Sequence, residues 1–228
     1  MSFYVDISWI YFCVFFGIAL ICSLIMSLLS TNFYTMHVVI RKFSMIDLEF
    51  PASALELVTF IKGIFKLPPE ISKKSLHALK TQLYFHFLFI PFVYGSIFIA
   101  CMKVSSKMTY FGHGLFAMLA WIQIIPLLCD VVESIYLLKK IKPDPLISNP
   151  AIHNAFVLLE ILKWGIALTA SICCAGAAFY FWLVGMYSYN SLHFLLIVTA
   201  EIIIFFILKK LTMKSKKEMM ENILLAAV

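Results

Sequence analysis

Five long apolar runs dominate the chain, at 7–30, 82–102, 110–138, 155–186 and 191–211. Each reaches the roughly 20 residues a helix needs to cross a bilayer. The pattern predicts an all-α fold, a polytopic membrane helix bundle of five transmembrane helices forming one membrane domain over residues 1–228. The third and fourth runs exceed that minimum, so they are expected to tilt or to project into water. Only Tyr187, Ser188, Tyr189 and Asn190 link the fourth run to the fifth, which predicts an antiparallel hairpin. Pro91 and Pro126 fall inside runs and should kink their helices. Residues 1–6 lack the basic region of a cleavable signal, so the first run is read as a retained span.

The sizeable segment between the runs is the loop 31–79. Ser53 and Glu56 form a capping-box pair, and polar positions then recur at Glu56, Thr59, Lys62, Gly63 and Lys66 until Pro68 and Pro69 end the pattern. This spacing predicts an amphipathic helix with a narrow polar stripe and a broad apolar face. Such a helix should lie along the inner membrane surface or against the bundle, with Glu56, Lys62 and Lys66 as candidates for contact with the membrane surface or a partner. The basic tail 212–228, with the lysines from Lys209 onward, forms a weak amphipathic pattern that anionic lipid at the cytoplasmic face would attract.

Composition turns this pattern into a statement about solvent. Hydrophobic residues make up 63% of the chain and charged residues 13%, with a mean hydropathy of +0.97. A soluble domain carries about 25% charged residues, so most of this surface must face lipid. That excludes nucleic-acid-binding modules, secreted disulfide scaffolds and most cytosolic enzymes. The six cysteines form no C-x-x-C motif and read as small packing residues.

The net charge of +6 resolves into topology. Arg41, Lys42, Lys62, Lys66, Lys73, Lys74 and Lys80 lie in the first loop, Lys139, Lys140 and Lys142 in the third, and Lys209, Lys210, Lys214, Lys216 and Lys217 at and beyond the end of the fifth run. The second loop has only Lys103 and Lys107. The positive-inside rule then places the N-terminus outside, the C-terminus in the cytoplasm and the amphipathic helix on the cytoplasmic side. Tyr4, Trp9, Tyr110, Trp182, Tyr187 and Tyr189 would mark the outer interface. A bacterial inner (plasma) membrane is the expected location of this multi-pass protein.

Candidate chemistry lies in the charges that lipid should forbid. Asp130, Glu133, Glu160 and Glu201 fall inside the runs, joined by Lys163 and His86. Counted at 1.5 Å per residue, all sit roughly 8–13 Å from the cytoplasmic boundary, which predicts one inner-leaflet polar layer. Gln123, Asp130 and Ser134 share a helical face with Glu133 beside them. Glu160, Lys163, Ala167, Ser171, Cys174 and Ala178 form a second stripe, charged at one end and small-sided beyond. Lys163 is the expected partner of Glu160 or Asp130. Four carboxylates against one lysine leave an excess of negative charge, to be met by protonation, a bound cation or a hydrated cavity. Paired Glu-x-x-His motifs for a di-metal centre are lacking, as are hydrolase and phosphate-loop motifs. No metal ligand set and no cofactor are therefore assigned, and no catalytic residue is named.

Two short elements carry a resemblance. Ser44, Met45, Ile46, Asp47, Leu48, Glu49 and Phe50 resemble an Asp-Leu-Glu-Phe element of small multi-span bacterial membrane proteins, and Asp130 to Ser134 resembles their Asp-x-x-Glu-Asn element, with serine in place of asparagine. The resemblance implies a role for Asp47, Glu49, Asp130 and Glu133, and implies no particular activity.

Three functional expectations follow. The leading one is a non-enzymatic membrane protein that binds or conducts a proton, a cation or a cationic headgroup through the polar layer, as a homo-oligomer or with other membrane subunits. The second is a structural or assembly subunit of a larger membrane complex. The third is an intramembrane lipid-modifying enzyme using Asp130 and Glu133 as acid–base groups with His86 assisting.

Overall fold

The computed structural model of the protein describes residues 8–226, with side chains described for 8–189 and 191–212. Tyr4 lies outside the described residues, as do the side chains of the tail lysines Lys214, Lys216 and Lys217. The chain is 79% helical with almost no strand, so the all-α class holds. Five stretches are long and apolar enough to cross a membrane: Trp9–Ser30, Pro69–Ser105, Tyr110–Lys140, Pro150–Leu183 and Leu192–Thr212.

The first of these is helix α1 (Trp9–Ser30), opened by Ser8, whose hydroxyl accepts from the Ile10 N–H at 3.4 Å. A hairpin follows, of β1 (Tyr34–Met36) and β2 (Ile40–Lys42), with Thr35 opposite Arg41. Two short helices, α2 (Met45–Glu49) and α3 (Ala54–Phe65), lead into α4 (Pro69–Ser105). Pro69 occupies the first turn of α4, where its missing N–H costs nothing and its fixed φ suits the helix. The helix therefore starts well before the apolar run at 82, and its first turns carry Glu70, Lys73, Lys74 and Lys80. Its 37 residues span about 55 Å, more than a bilayer core needs.

The third spanning stretch is two helices, α5 (Tyr110–Trp121) and α6 (Ile124–Lys140). Pro126 explains the break: it has no N–H for the Ile122 carbonyl. That carbonyl instead accepts from Ile125 at 2.9 Å, a tighter turn. Pro91, by contrast, lies within the unbroken α4. Helix α7 (Pro150–Leu183) is capped by the Asn149 side chain, which accepts from the Ala151 N–H at 3.0 Å. A 3-10 turn at Tyr189–Ser191 leads into α8 (Leu192–Ala226). Where the short link suggested that α8 would pack back along α7, it packs along α1.

Two apolar cores form, one at each end of the bundle. One gathers Phe33, Phe43, Leu57, Ile61, Leu79 and Leu137 from the loop, α4 and α6. The other gathers Trp9, Cys101, Ala120, Cys174, Phe181 and Tyr187. The apolar face of α3 is spent in the first core, so the helix lies against the bundle, the second of its two expected placements. Its capping pair differs slightly from expectation. Ser53 Oγ accepts from the Glu56 N–H at 3.1 Å, but the Glu56 carboxylate accepts from Ala52 at 2.6 Å, one residue earlier.

Helix α3 meets the hairpin at Gly63. The Thr35 hydroxyl donates to the Phe60 carbonyl at 2.8 Å, and a Cβ at Gly63 would collide with that hydroxyl and the Met36 carbonyl. Overpacking of this kind costs about 1–3 kcal/mol. Gly63→Ala should therefore lower the thermal midpoint in detergent, whereas Gly114→Ala, whose Cβ would meet open space, should not. Equal midpoints for the two variants would contradict this packing.

Candidate functional site

Lys163 stands at the centre of the site, one turn along α7 from Glu160. Its ammonium lies 2.9 Å from Asp130 Oδ1, 2.5 Å from Glu133 Oε2 and 2.6 Å from Glu160 Oε2. An ammonium has three N–H donors, and three carboxylates surround this one. The lysine and its three partners are all buried, none more than 4% exposed. Helical spacing produces the arrangement: Asp130 and Glu133 are three apart on α6, as are Glu160 and Lys163 on α7, so each pair shares a face.

A second ring of contacts ties the cluster to α4. The Tyr94 hydroxyl donates to Asp130 Oδ2 at 2.6 Å, and His86 Nδ1 lies 2.9 Å from Ser134 Oγ. Ser134, where the resembling element has asparagine, thus forms a second hydrogen bond between α6 and α4. The fourth acid comes from outside the spans. Glu49, at the end of α2, is buried, and carboxylate oxygens of Glu49, Glu133 and Glu160 lie within 4.8 Å of one another. Burial pushes the Glu49 carboxyl above the ordinary carboxylate range; Lys163 pulls it back, Glu160 and Asp130 push it further up, and a hydrogen bond from Trp164 lowers it. Among the described residues, Glu49 Oε2 and Glu133 Oε1 accept no hydrogen bond.

Of the residues expected in one layer, the structure brings together Asp130, Glu133, Glu160 and Lys163, with His86 one hydrogen bond away. Glu201 is elsewhere. Its carboxylate lies against Gly17 of α1, where an added Cβ would come within 2.9 Å of Oε1. Gln123 is buried at the start of α6, and its amide donates to the Leu119 carbonyl at 3.0 Å. Asp47 is exposed and accepts from the Ser44 N–H at 2.7 Å, a helix cap. Lys62 pairs with Asp144 at 2.6 Å on the surface, and Lys66 is exposed. Sequence reasoning assigned no role to Tyr94. The available signal was a tyrosine deep within a span, away from the interfaces where tyrosine collects.

Fold and site together define an integral multi-pass helical membrane protein with an ion-paired polar core. Comparison with protein-family models, curated proteins and solved structures finds no match to this chain.

The position of Glu49 gives a pH dependence. An acid whose folded-state pKa is raised contributes stability that is full below its unfolded value and is lost as pH rises through the folded value. Lys163 and Glu160 face Glu49 from α7, and Asp130 and Glu133 from α6. Glu49→Gln keeps the shape and removes the titration. Its thermal midpoint relative to wild type should rise as the pH is raised above the ordinary carboxylate range. A gap independent of pH would contradict a buried, titrating Glu49.

Proposed function

We propose that the protein binds a proton or a small bare cation at the Glu49, Asp130, Glu133, Glu160 and Lys163 cluster, and that the entering charge competes with the Lys163 ammonium for carboxylate oxygens. The observation that carries this reading is the imbalance of the site: four buried carboxylates face one ammonium, and oxygens of Glu49 and Glu133 are left without hydrogen-bond partners among the described residues. With all four acids ionised the cluster would hold a net charge of about −3, which a low-dielectric interior does not sustain. A proton or a cation supplies the balance. Carboxylate oxygens suit a hard cation of the magnesium, calcium or manganese type. The tight burial of every member favours a small ion over a lipid headgroup.

The basic residues favour an orientation. Arg41, Lys42, Lys62, Lys139 and Lys140 gather at the end of the bundle nearest the cluster, and only Lys103 and Lys107 lie at the other end. By the positive-inside rule the proposed orientation has the cluster in the cytoplasmic leaflet, the N-terminus outside and the C-terminus inside; a bacterial plasma membrane is the proposed location. Conduction, by an oligomer or by a complex with other membrane subunits, is the extension of this proposal.

The test is thermal stability of the full chain in nanodiscs, titrated with Na+, K+, Mg2+, Ca2+ and Mn2+ and separately with acid. A cation at a hundred times its Kd adds about 2.7 kcal/mol. At least one titrant should raise the midpoint saturably, and Glu133→Gln should abolish the effect. A wild-type midpoint indifferent to every cation and to pH would leave the cluster as a purely structural network. Flux into vesicles then separates binding from conduction.

A further inference from the structure

Away from the carboxylate cluster, at the opposite end of the bundle, α7 and α8 part after their short link and leave a cavity of about 490 Å³ walled by α1, α4, α7 and α8. Small side chains create it, among them Ser96, Ala100, Ser171, Ala175 and Ala178. Its walls are apolar in effect, since the Ser96 hydroxyl turns back to the Val93 carbonyl at 2.7 Å. An apolar cavity of this kind does not hold water.

Its length is informative. Along α7 the lining runs from Ser171 to Trp182, eleven helical rises or about 16 Å. That is close to half of a hydrocarbon core of about 30 Å, the depth of one leaflet. At the mouth, Trp9 stacks on Trp182 at 5.0 Å, and Tyr187 meets both rings edge-on or tilted at 5.5 and 5.2 Å. The Trp182 indole N–H donates to Ser191 Oγ at 2.8 Å, and the Tyr187 hydroxyl donates to the Lys103 carbonyl at 3.3 Å. Aromatic groups of this type mark headgroup level. The Lys107 ammonium lies 5.7 Å from the centre of the Tyr187 ring on an exposed side chain. Of the two lysines that the sequence places at this end of the bundle, Lys103 meets the aromatic mouth through its backbone carbonyl and Lys107 through its ammonium.

From this geometry we infer that the cavity binds one acyl chain of an anionic phospholipid from the leaflet opposite the carboxylate cluster, with the lipid phosphate held by Lys107 above the Trp9, Trp182 and Tyr187 platform. The gap between α7 and α8 is the lateral entrance. The occupant is specified at both ends: a leaflet-length apolar slot takes the chain, and the exposed Lys107 ammonium selects the charge. This inference stands apart from cation binding, because it shares no residue with the carboxylate cluster.

The test uses the full chain reconstituted with equal phosphatidylglycerol and phosphatidylcholine, re-extracted in mild detergent and examined by native mass spectrometry. The expected result is one retained lipid per chain, with phosphatidylglycerol favoured about fivefold, as one lysine near an anionic headgroup would give. Ala175→Trp fills the slot and should remove the retained lipid; Ser171→Leu, a gentler filling, should weaken retention in the same direction. Lys107→Gln should keep a retained lipid but abolish the phosphatidylglycerol preference. No retained lipid on wild type, retention unaffected by both filling variants, or a headgroup preference that survives Lys107→Gln would overturn the inference.

Discussion

The Lys163 ammonium is the constraint on which the rest of the arrangement depends. In lipid, apolar side chains gain little by meeting one another, so close packing and polar contacts must hold helices together. Lys163 supplies such a contact, joining α7 to α6 through Asp130 and Glu133 while neutralising Glu160 on its own helix. The link extends to α4 through Tyr94 on Asp130 and through His86 on Ser134. Removing one member of a buried ion pair usually costs about 3–5 kcal/mol, because the partner is left charged and unsolvated. Here three carboxylates would lose the same partner at once.

The loop between α1 and α4 is best understood from the position of Glu49. A glutamate on a mobile loop would remain in water, since nothing would repay its desolvation. Glu49 instead sits at the end of α2, next to the buried Leu48, while Asp47 on the opposite face caps the same helix through Ser44. Helix α3 and the hairpin bury Phe43, Phe60 and Ile61 against α4 and hold α2 in place. The apolar face of α3, which from sequence alone could have served a membrane surface, is used to hold an acid against the Lys163 cluster.

The spanning helices were legible in the sequence because lipid demands uninterrupted apolar length, and few other structures demand it. The polar layer was legible in depth but not in azimuth. Counting residues from a boundary placed Glu201 with Asp130 and Glu160, yet which neighbour a helix faces depends on packing, and α8 faces α1 at Gly17. Glu49 had the opposite difficulty: a five-residue helix outside the spans gives no periodic signal, so only the Asp-Leu-Glu-Phe resemblance drew attention to it. The hairpin escaped for a similar reason, since three-residue strands are too short to show alternation. The early start of α4 was hidden by its charged first turns, which a search for apolar runs discards.

The two halves of the bundle are held by different physics, and this explains where the cavity lies. Helices α4, α6 and α7 converge on the ion-paired cluster, and their facing positions are buried there. None of the spanning stretch of α8 is fully buried, and it contacts the bundle mainly along α1. On α7, residues beyond the cluster shrink to Ser171, Cys174, Ala175 and Ala178, which suits close approach by another helix. Yet α8 does not come in to meet them, because it is directed onto α1, where the Glu201 carboxylate rests on Gly17 and the Cys13 thiol lies 3.9 Å from the Phe194 carbonyl. A small-residue surface prepared for close packing is thus left facing an open slot. In a bilayer such a slot is adjacent to hydrocarbon chains, which is the physical reason for expecting a lipid chain there in place of a sixth packed surface.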